Sequence, residues 1–297
     1  MQNIIRKPIV IGIGELLWDM LPQGKQLGGA PCNYVYHSLK LGCEAHIISS
    51  VGNDTLGLEA VRLVKDLGLD TSTIQITNKN GTGVVEVSLG DMGNVNYKIK
   101  ENVAWDNIKW DSSMKEFAAS ADAICFGSLA QRNSVTQNTI FKFIEHSKIS
   151  CLKIFDINLR QQYYSKDIII QSLKKTDVLK LNETELQILA NMLNYDMNSA
   201  LDDLLNEYNI RLIAYTKGSY GSIIKTKNYI SEMKAPKIMV EDTIGAGDSF
   251  TATLITGMLM NIDINIVHNT ASKLSAYVCT QKGATPQVPE QLLKFKY

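Results

Sequence analysis

Short apolar runs alternate with longer amphipathic stretches along most of this chain. Pro8 to Gly14 (PIVIGIG) is β-branched and closed by glycine, the pattern of a strand buried on both faces of a parallel sheet. Pro31 to Leu41 has helical spacing at Val35 and Leu39, and Gly42 stops it as a C-cap would. Ala45 to Val51 predicts a second strand, and Thr55 to Leu67, closed by Gly68, a second helix. The alternation continues through strand Ala123 to Phe126, helix Val135 to His146, and strands Leu152 to Ile157 and Val178 to Leu181. Asn182 to Leu193 opens as NETE, which sets Glu185 three residues after Asn182 in the spacing of a capping box. Strands Arg211 to Thr216 and Ser222 to Lys225 follow, then helices from about Gly245 to Met260 and from Asp263 to Thr280. Repeated βα units of this kind predict a parallel sheet covered by helices on both faces.

Two segments break the rhythm. Thr82 to Ala104 alternates as VVEVSL and VNYKIK around Gly90-Asp91-Met92-Gly93-Asn94, a hairpin signature. Glu15 to Leu27 is too polar and too interrupted, by Pro22 and Gly24, to be a helix. Together they predict a small accessory sheet at the edge of the core.

Length then sharpens the picture. The 297 residues suggest about two domains, although open α/β folds often run this long as one. With 45% hydrophobic and 20% charged residues the chain can bury a large core without staples. Thirty basic and thirty acidic side chains cancel, which argues against a nucleic-acid or membrane-surface partner, since both demand a basic excess. Cys32, Cys43, Cys125, Cys151 and Cys279 form no Cys-x-x-Cys pair, and His37, His46, His146 and His268 lie outside any ligand spacing. The cysteines therefore read as buried thiols in a reducing compartment. With no signal peptide before Pro8 and no apolar run near the ~18 residues that span a bilayer, the expectation is a cytoplasmic enzyme.

The sharpest chemical signal is Asp242-Thr243-Ile244-Gly245-Ala246-Gly247-Asp248-Ser249-Phe250, leading into the apolar helix TATLITGMLM. Small residues at a helix start let backbone N–H groups converge on an anion. Asp248 in the same turn would repel a resident phosphate, so static binding is awkward. A transient anion suits the arrangement better: Gly245, Ala246 and Gly247 stabilise a phosphoryl group in flight, and Asp248 takes the proton of the attacking hydroxyl. Its place at a helix start predicts a low pKa, which a loose transition state tolerates. The local alternative is a tight helix entry with an ordinary first-turn acid. No G-x-x-x-x-G-K-[ST] stretch exists. Gly12-Ile13-Gly14 follows a strand, but Leu17 stands where a dinucleotide fingerprint needs its third glycine. A NAD-dependent oxidoreductase is kept only as the alternative from a different class.

These residues resemble the ribokinase-like (PfkB) carbohydrate kinases and, within them, the fructokinases. DTIGAGDSF is similar to the family's C-terminal signature, and Gly28-Gly29-Ala30-Pro31-Cys32-Asn33 to its N-terminal one, with landmarks in family order from Gly12 to Pro289. The resemblance implies a three-layer α/β/α sandwich with a mostly parallel central sheet. It also implies one kinase domain over residues 1–297, with a β-sheet lid from segments of about 15–28 and 82–106. Lids of this family often pair between subunits, which implies a homodimer.

The same resemblance assigns roles. Asp19 would bind two sugar hydroxyls, with Gly29 and Asn33 as further sugar contacts. Asp156-Ile157-Asn158-Leu159-Arg160 is similar to the family's DxNxR stretch, so Asn158 and Arg160 approach the substrate, and Arg132 in GSLAQR occupies a similar post-strand position. Either arginine could instead be an ion-pair partner. Asn182 and Glu185 match N-x-x-E, which helps hold Mg²⁺ partly through water, with the capping box as the local alternative. Thr216, Gly218 and Gly221 in TKGSYG resemble the nucleotide-binding turn, and Gly283-Ala284-Thr285-Pro286 the adenine and monovalent-cation side, where Asp242 could serve K⁺. Gln287 departs from the usual residue there. Ala30-Pro31 after the paired glycines is the fructokinase form, whereas Trp18, Met20 and Cys32 depart from it. The reaction implied is ATP-dependent phosphorylation of the 6-hydroxyl of fructose, an alcohol-acceptor phosphotransfer. Other sugars, sugar acids or nucleosides (ribose, 2-keto-3-deoxygluconate, adenosine) are the alternatives.

Overall fold

The computed structural model describes residues 6–21, 24–89 and 95–296. The first part of the chain gives β1 (Ile9–Ile13), β2 (Leu17–Leu21), β3 (Gly24–Gly28), α1 (Ala30–Lys40), β4 (Glu44–Gly52), α2 (Thr55–Asp66) and β5 (Ile74–Thr77). Then come β6 (Gly83–Leu89), β7 (Val95–Ile99), α3 (Ser113–Ser120), β8 (Ala123–Phe126), α4 (Ser134–His146), β9 (Leu152–Asp156), α5 (Lys166–Leu173) and β10 (Val178–Asn182). The last part holds α6 (Glu183–Leu193), α7 (Ala200–Glu207), β11 (Leu212–Thr216), β12 (Ser222–Lys225), β13 (Ile230–Met233), α8 (Ala246–Leu259) and α9 (Ile264–Cys279).

Nine strands form one sheet in the order β13-β12-β11-β10-β9-β8-β1-β4-β5. It is parallel from β5 to β11; β12 runs antiparallel to β11, and β13, antiparallel to β12, returns to the direction of β11. Alternation along each strand feeds two apolar layers. Ile11 and Ile13 of β1 enter the layer that α3 to α7 cover, while Val10 enters the one under α1, α2, α8 and α9. The three layers expected from the βα pattern are therefore present. Four of the five cysteines are buried thiols; Cys279 is only half-buried.

The interrupting segments form a second sheet, ordered β3-β2-β6-β7, with β2 and β6 parallel. The expected hairpin turn at Gly90–Asn94 lies outside the described residues. Asp54 joins this sheet to the core: its carboxylate caps α2 at Gly57 N (2.8 Å) and accepts from the backbone N and hydroxyl of Thr82 (2.8 and 2.6 Å).

Strand order reverses between β1 and β8, so the crevice for a ligand opens at their carboxyl ends. The dinucleotide alternative fails here. β1 leads into β2 and not into a helix, and a Cβ on Gly12 would lie 2.5 Å from Pro31 O. Gly12 is a packing glycine that brings α1 onto the sheet.

Candidate active site

A cavity of about 1200 Å³ opens at that crevice, larger than one small ligand needs. Its wall includes Glu15, Asp19, Gly29, Asn33, Asn158 and Arg160, and also Thr216 at the end of β11 with Gly218 and Gly221 after it. Leu17, Val85 and Ile99 of the second sheet add an apolar face. Gly245, Ala246, Gly247 and Asp248 line it too.

Gly245 is the N-cap of α8 at φ 78°, and a Cβ there would lie 2.6 Å from Ala284 Cα. Only glycine fits the turn. No side chain caps this helix, and first-turn N–H groups have no intrahelical acceptor. The backbone therefore offers donors to an anion in the cavity.

Asp248 Oδ2 accepts from Asn33 Nδ2 at 2.7 Å, which ties α8 to α1. The expected low pKa reverses. Enclosure and the neighbouring Asp156 push the Asp248 carboxyl up to about 6, against Asn33, Lys180 and Arg160, which pull it down. A carboxyl poised there is half-ionised near the working pH of a general base.

Lys180 is a site residue that the sequence reading missed. It rises from β10 with only 8% exposure, lines the cavity, and places Nζ 3.2 Å from Asp156 Oδ1. Burial favours the neutral amine, but Asp156, Glu185 and Asp248 outweigh it and raise its pKa, so it stays an ammonium. A Cβ on Gly247 would lie 2.8 Å from that nitrogen. The cation thus sits against the anion-binding turn. Asp156 is steadied from α8, because the Thr251 hydroxyl lies 2.9 Å from its Oδ2 and 3.0 Å from Gly247 O. A lysine inside the apolar strand VLKLN was the available signal.

Asn182 and Glu185 form the capping box in full. Asn182 Oδ1 accepts from Glu185 N at 3.0 Å, and Glu185 Oε2 from Asn182 N at 2.8 Å. Glu185 Oε1 also accepts from Leu159 N at 3.1 Å, and burial pushes its carboxyl up against the pull of Lys180. Both residues still face the cavity. Each carboxylate oxygen keeps a lone pair beyond these bonds, and Mg²⁺ needs few direct protein ligands. This donor set suits a water-mediated metal.

Asp19 on β2 is raised by burial, with Arg160 opposing and Asp242 adding to it. Gly28 makes room for it: a Cβ there would lie 2.6 Å from Asp19 Oδ2. Arg160 is exposed and donates to Leu159 O at 3.1 Å, in a turn where Asn158 and Gln161 take φ of 42° and 46°. Thr216 and the glycines of TKGSYG line the cavity; a Cβ on Gly221 would lie 2.0 Å from Met233 O.

One expectation changes. Arg132 is absent from the cavity wall. It makes a two-toothed ion pair with the buried Asp106 (2.7 and 2.9 Å) and stacks on Trp105 and Tyr163 at 4.1 and 4.6 Å. Its charge is already neutralised and its face covered, so it braces the segment following β7. Asp242 accepts from Ile244 N and Gly283 N (3.0 and 3.1 Å), and each oxygen keeps a lone pair beyond these bonds. It fastens the Gly283–Pro286 segment, which Tyr36 and His37 also hold through Pro286 O and Ala284 O.

This geometry can now be set beside known proteins. Residues 22–291 match the pattern of the pfkB family carbohydrate kinases. The chain belongs to that family. It is similar to an uncharacterized sugar kinase from Pyrococcus horikoshii, 28% identical over 97% of this chain and 96% of that protein. The structure of that kinase in complex with ATP superposes with a TM-score of 0.80, covering 93% of this chain and 94% of the other. The fructokinase of Salmonella typhimurium is 25% identical over 94% of this chain and 95% of its own. A Vibrio cholerae fructokinase variant, solved with fructose, ADP and potassium ion, shares the fold at 22% identity and a TM-score of 0.79, with 94% of each chain covered. This pfkB kinase is a sugar kinase, a phosphotransferase with an alcohol group as acceptor.

Proposed function

We propose that this kinase is an ATP-dependent fructokinase that phosphorylates the 6-hydroxyl of fructose. The observation that carries the reaction is the Asn33–Asp248 pair at the uncapped start of α8. Asp19, Gly29 and Asn33 hold the sugar and present the acceptor hydroxyl. Asp248 orients that hydroxyl and takes its proton late, as a loose transition state requires. First-turn N–H groups around Gly245 to Gly247 meet the charge on the moving phosphoryl oxygens, and Lys180 and Arg160 add positive charge. Asn182 and Glu185 would hold Mg²⁺ through water, and the bound ion would supply charge neutralisation on the nucleotide phosphates. The second sheet, through Leu17, Val85 and Ile99, keeps water from the reacting end.

Fructose as the acceptor is favoured by the Ala30-Pro31 form after the paired glycines and by the likeness to the Salmonella fructokinase. The deciding experiment measures ATP consumption over fructose, ribose, 2-keto-3-deoxygluconate and adenosine. Fructose is expected to give the highest kcat/KM. Fructose ranking last would end this reading and leave the kinase to another sugar.

A further inference from the structure

The cavity wall built by β12, α9 and the segment before α8 has no part in the reaction described above. Glu241 N and Asp242 N donate to Cys279 O (2.9 and 3.2 Å), which fastens that segment to the end of α9. Ile238, Val240 and Ile244 stand 38%, 57% and 38% exposed, large apolar side chains left open on the cavity wall. Such a face suits the flat ring of a nucleotide base, with a few polar groups to orient it. Ser222 of β12 and Ser272 of α9 are polar groups on the same wall.

Behind these serines runs a chain of hydrogen bonds. The Tyr229 hydroxyl donates to Asn265 Oδ1 at 2.6 Å, and Ser231 Oγ lies 3.2 Å from the same oxygen. Ser231 Oγ is also 2.9 Å from His268 Nδ1, and His268 Nε2 is 2.7 Å from Ser222 Oγ. Ser222 Oγ lies 3.4 Å from Ser272 Oγ, which has no other hydrogen-bond partner among the described residues. His268 is fully buried and edge-on to Phe250, and burial lowers its pKa to about 4, so its ring carries one proton.

Proton counting fixes the direction of the chain. A 2.6 Å contact has the length of an O–H···O bond and is too short for an amide donor, so Asn265 turns its oxygen toward Tyr229 and Ser231. Tyr229 and Ser231 then donate to Asn265, Nδ1–H to Ser231, Ser222 to Nε2, and Ser272 to Ser222, which fills every gap. With the ring proton on Nε2, Ser231 would have one proton for two acceptors, Asn265 Oδ1 and Nδ1, and one would go unpaired. Ser272, half-buried, has thus spent its proton and shows the cavity only lone pairs.

We propose that Ser272 is a specificity-determining residue for the nucleotide: held as an acceptor by the Ser231–His268–Ser222 chain, it accepts from the amino group of an adenine base. The proposal rests on the ATP reading above, and calorimetric titration separates the two without any sugar. The probes are ATP and purine riboside triphosphate, which differs from ATP only in lacking the amino group.

The wild type should favour ATP by about three- to tenfold in Kd, the scale of one neutral hydrogen bond. Ser272→Ala should erase that preference by weakening ATP alone. Ser231 is not part of the cavity wall, yet Ser231→Ala removes the acceptor of Nδ1–H, frees the ring proton to move to Nε2, and should cut the preference as well. In ¹⁵N-histidine-labelled wild type, His268 should carry its proton on Nδ1. A His268 protonated on Nε2, or a preference unchanged in either variant, overturns the proposal. ATP binding with no preference over purine riboside triphosphate leaves ATP as the donor and overturns the role of Ser272. Absence of ATP binding by the wild type sinks the ATP reading and this proposal with it.

Discussion

Asn33 and Asp248, 215 residues apart in the chain, share a 2.7 Å hydrogen bond that joins the two helices carrying the family's two signatures. The bond holds Asp248 below where enclosure and Asp156 would put it. Asn33→Ala should therefore shift the acid limb of kcat/KM to higher pH, with a several-fold larger loss at pH 6 than at pH 8. A pH profile of the variant checks this, and an unmoved limb would contradict it.

Asp248 itself should show a trade between activity and stability. Its folded pKa of about 6 exceeds the model-compound 3.8. Between those values the folded state holds a proton that the unfolded state has lost, so stability falls as pH rises through the interval and stays lower above it. Asp248→Asn should then gain about 1–2 kcal/mol at pH 8, after allowance for solvent in the cavity, and gain nothing near pH 3. The same variant should lose about 10²–10⁴ in kcat. Denaturant melts at both pH values and a single turnover assay read the two halves separately.

Gly247→Ala should act through Lys180. The new methyl would meet Nζ at 2.8 Å and displace the ammonium from its ion pair with Asp156. About tenfold or more in kcat should be lost, with the melting temperature falling by only a few degrees. If kcat in the variant stays normal, Lys180 does not assist the transfer from that position.

Arg132 should prove structural. Arg132→Ala strands the buried Asp106 and uncovers Trp105, which predicts a loss of about 3–5 kcal/mol. Arg132→Lys should recover part of the stability, with KM for the sugar within about twofold of wild type. A raised sugar KM in well-folded Arg132→Lys would return this residue to the substrate.

The core was legible because its strands are buried on both faces and read as unbroken apolar runs, as β1 and β8 do. β5 and β13 escaped because IQIT and ISEM are too short and too polar to announce pairing. α5 was hidden by three successive isoleucines, which mimic a strand. At the site, Asp248, Asn182 and Glu185 sit in local motifs and could be named. The environment that sets their chemistry could not: Asp156 ends β9, Lys180 sits within β10 and Glu15 follows β1, three separate stretches of the chain. Arg132 misled for the same reason, since Asp106 lies in a segment 26 residues away.

The contact between Lys180 and Gly247 also limits how such a site can change over time. The two positions share one volume, filled by an ammonium from the strand where the helix omits a side chain. A bulkier residue at 247 has to push the lysine tip off Asp156, and a shorter one at 180 opens room at 247. Across active relatives, a residue larger than glycine at 247 should stand beside a shorter one at 180.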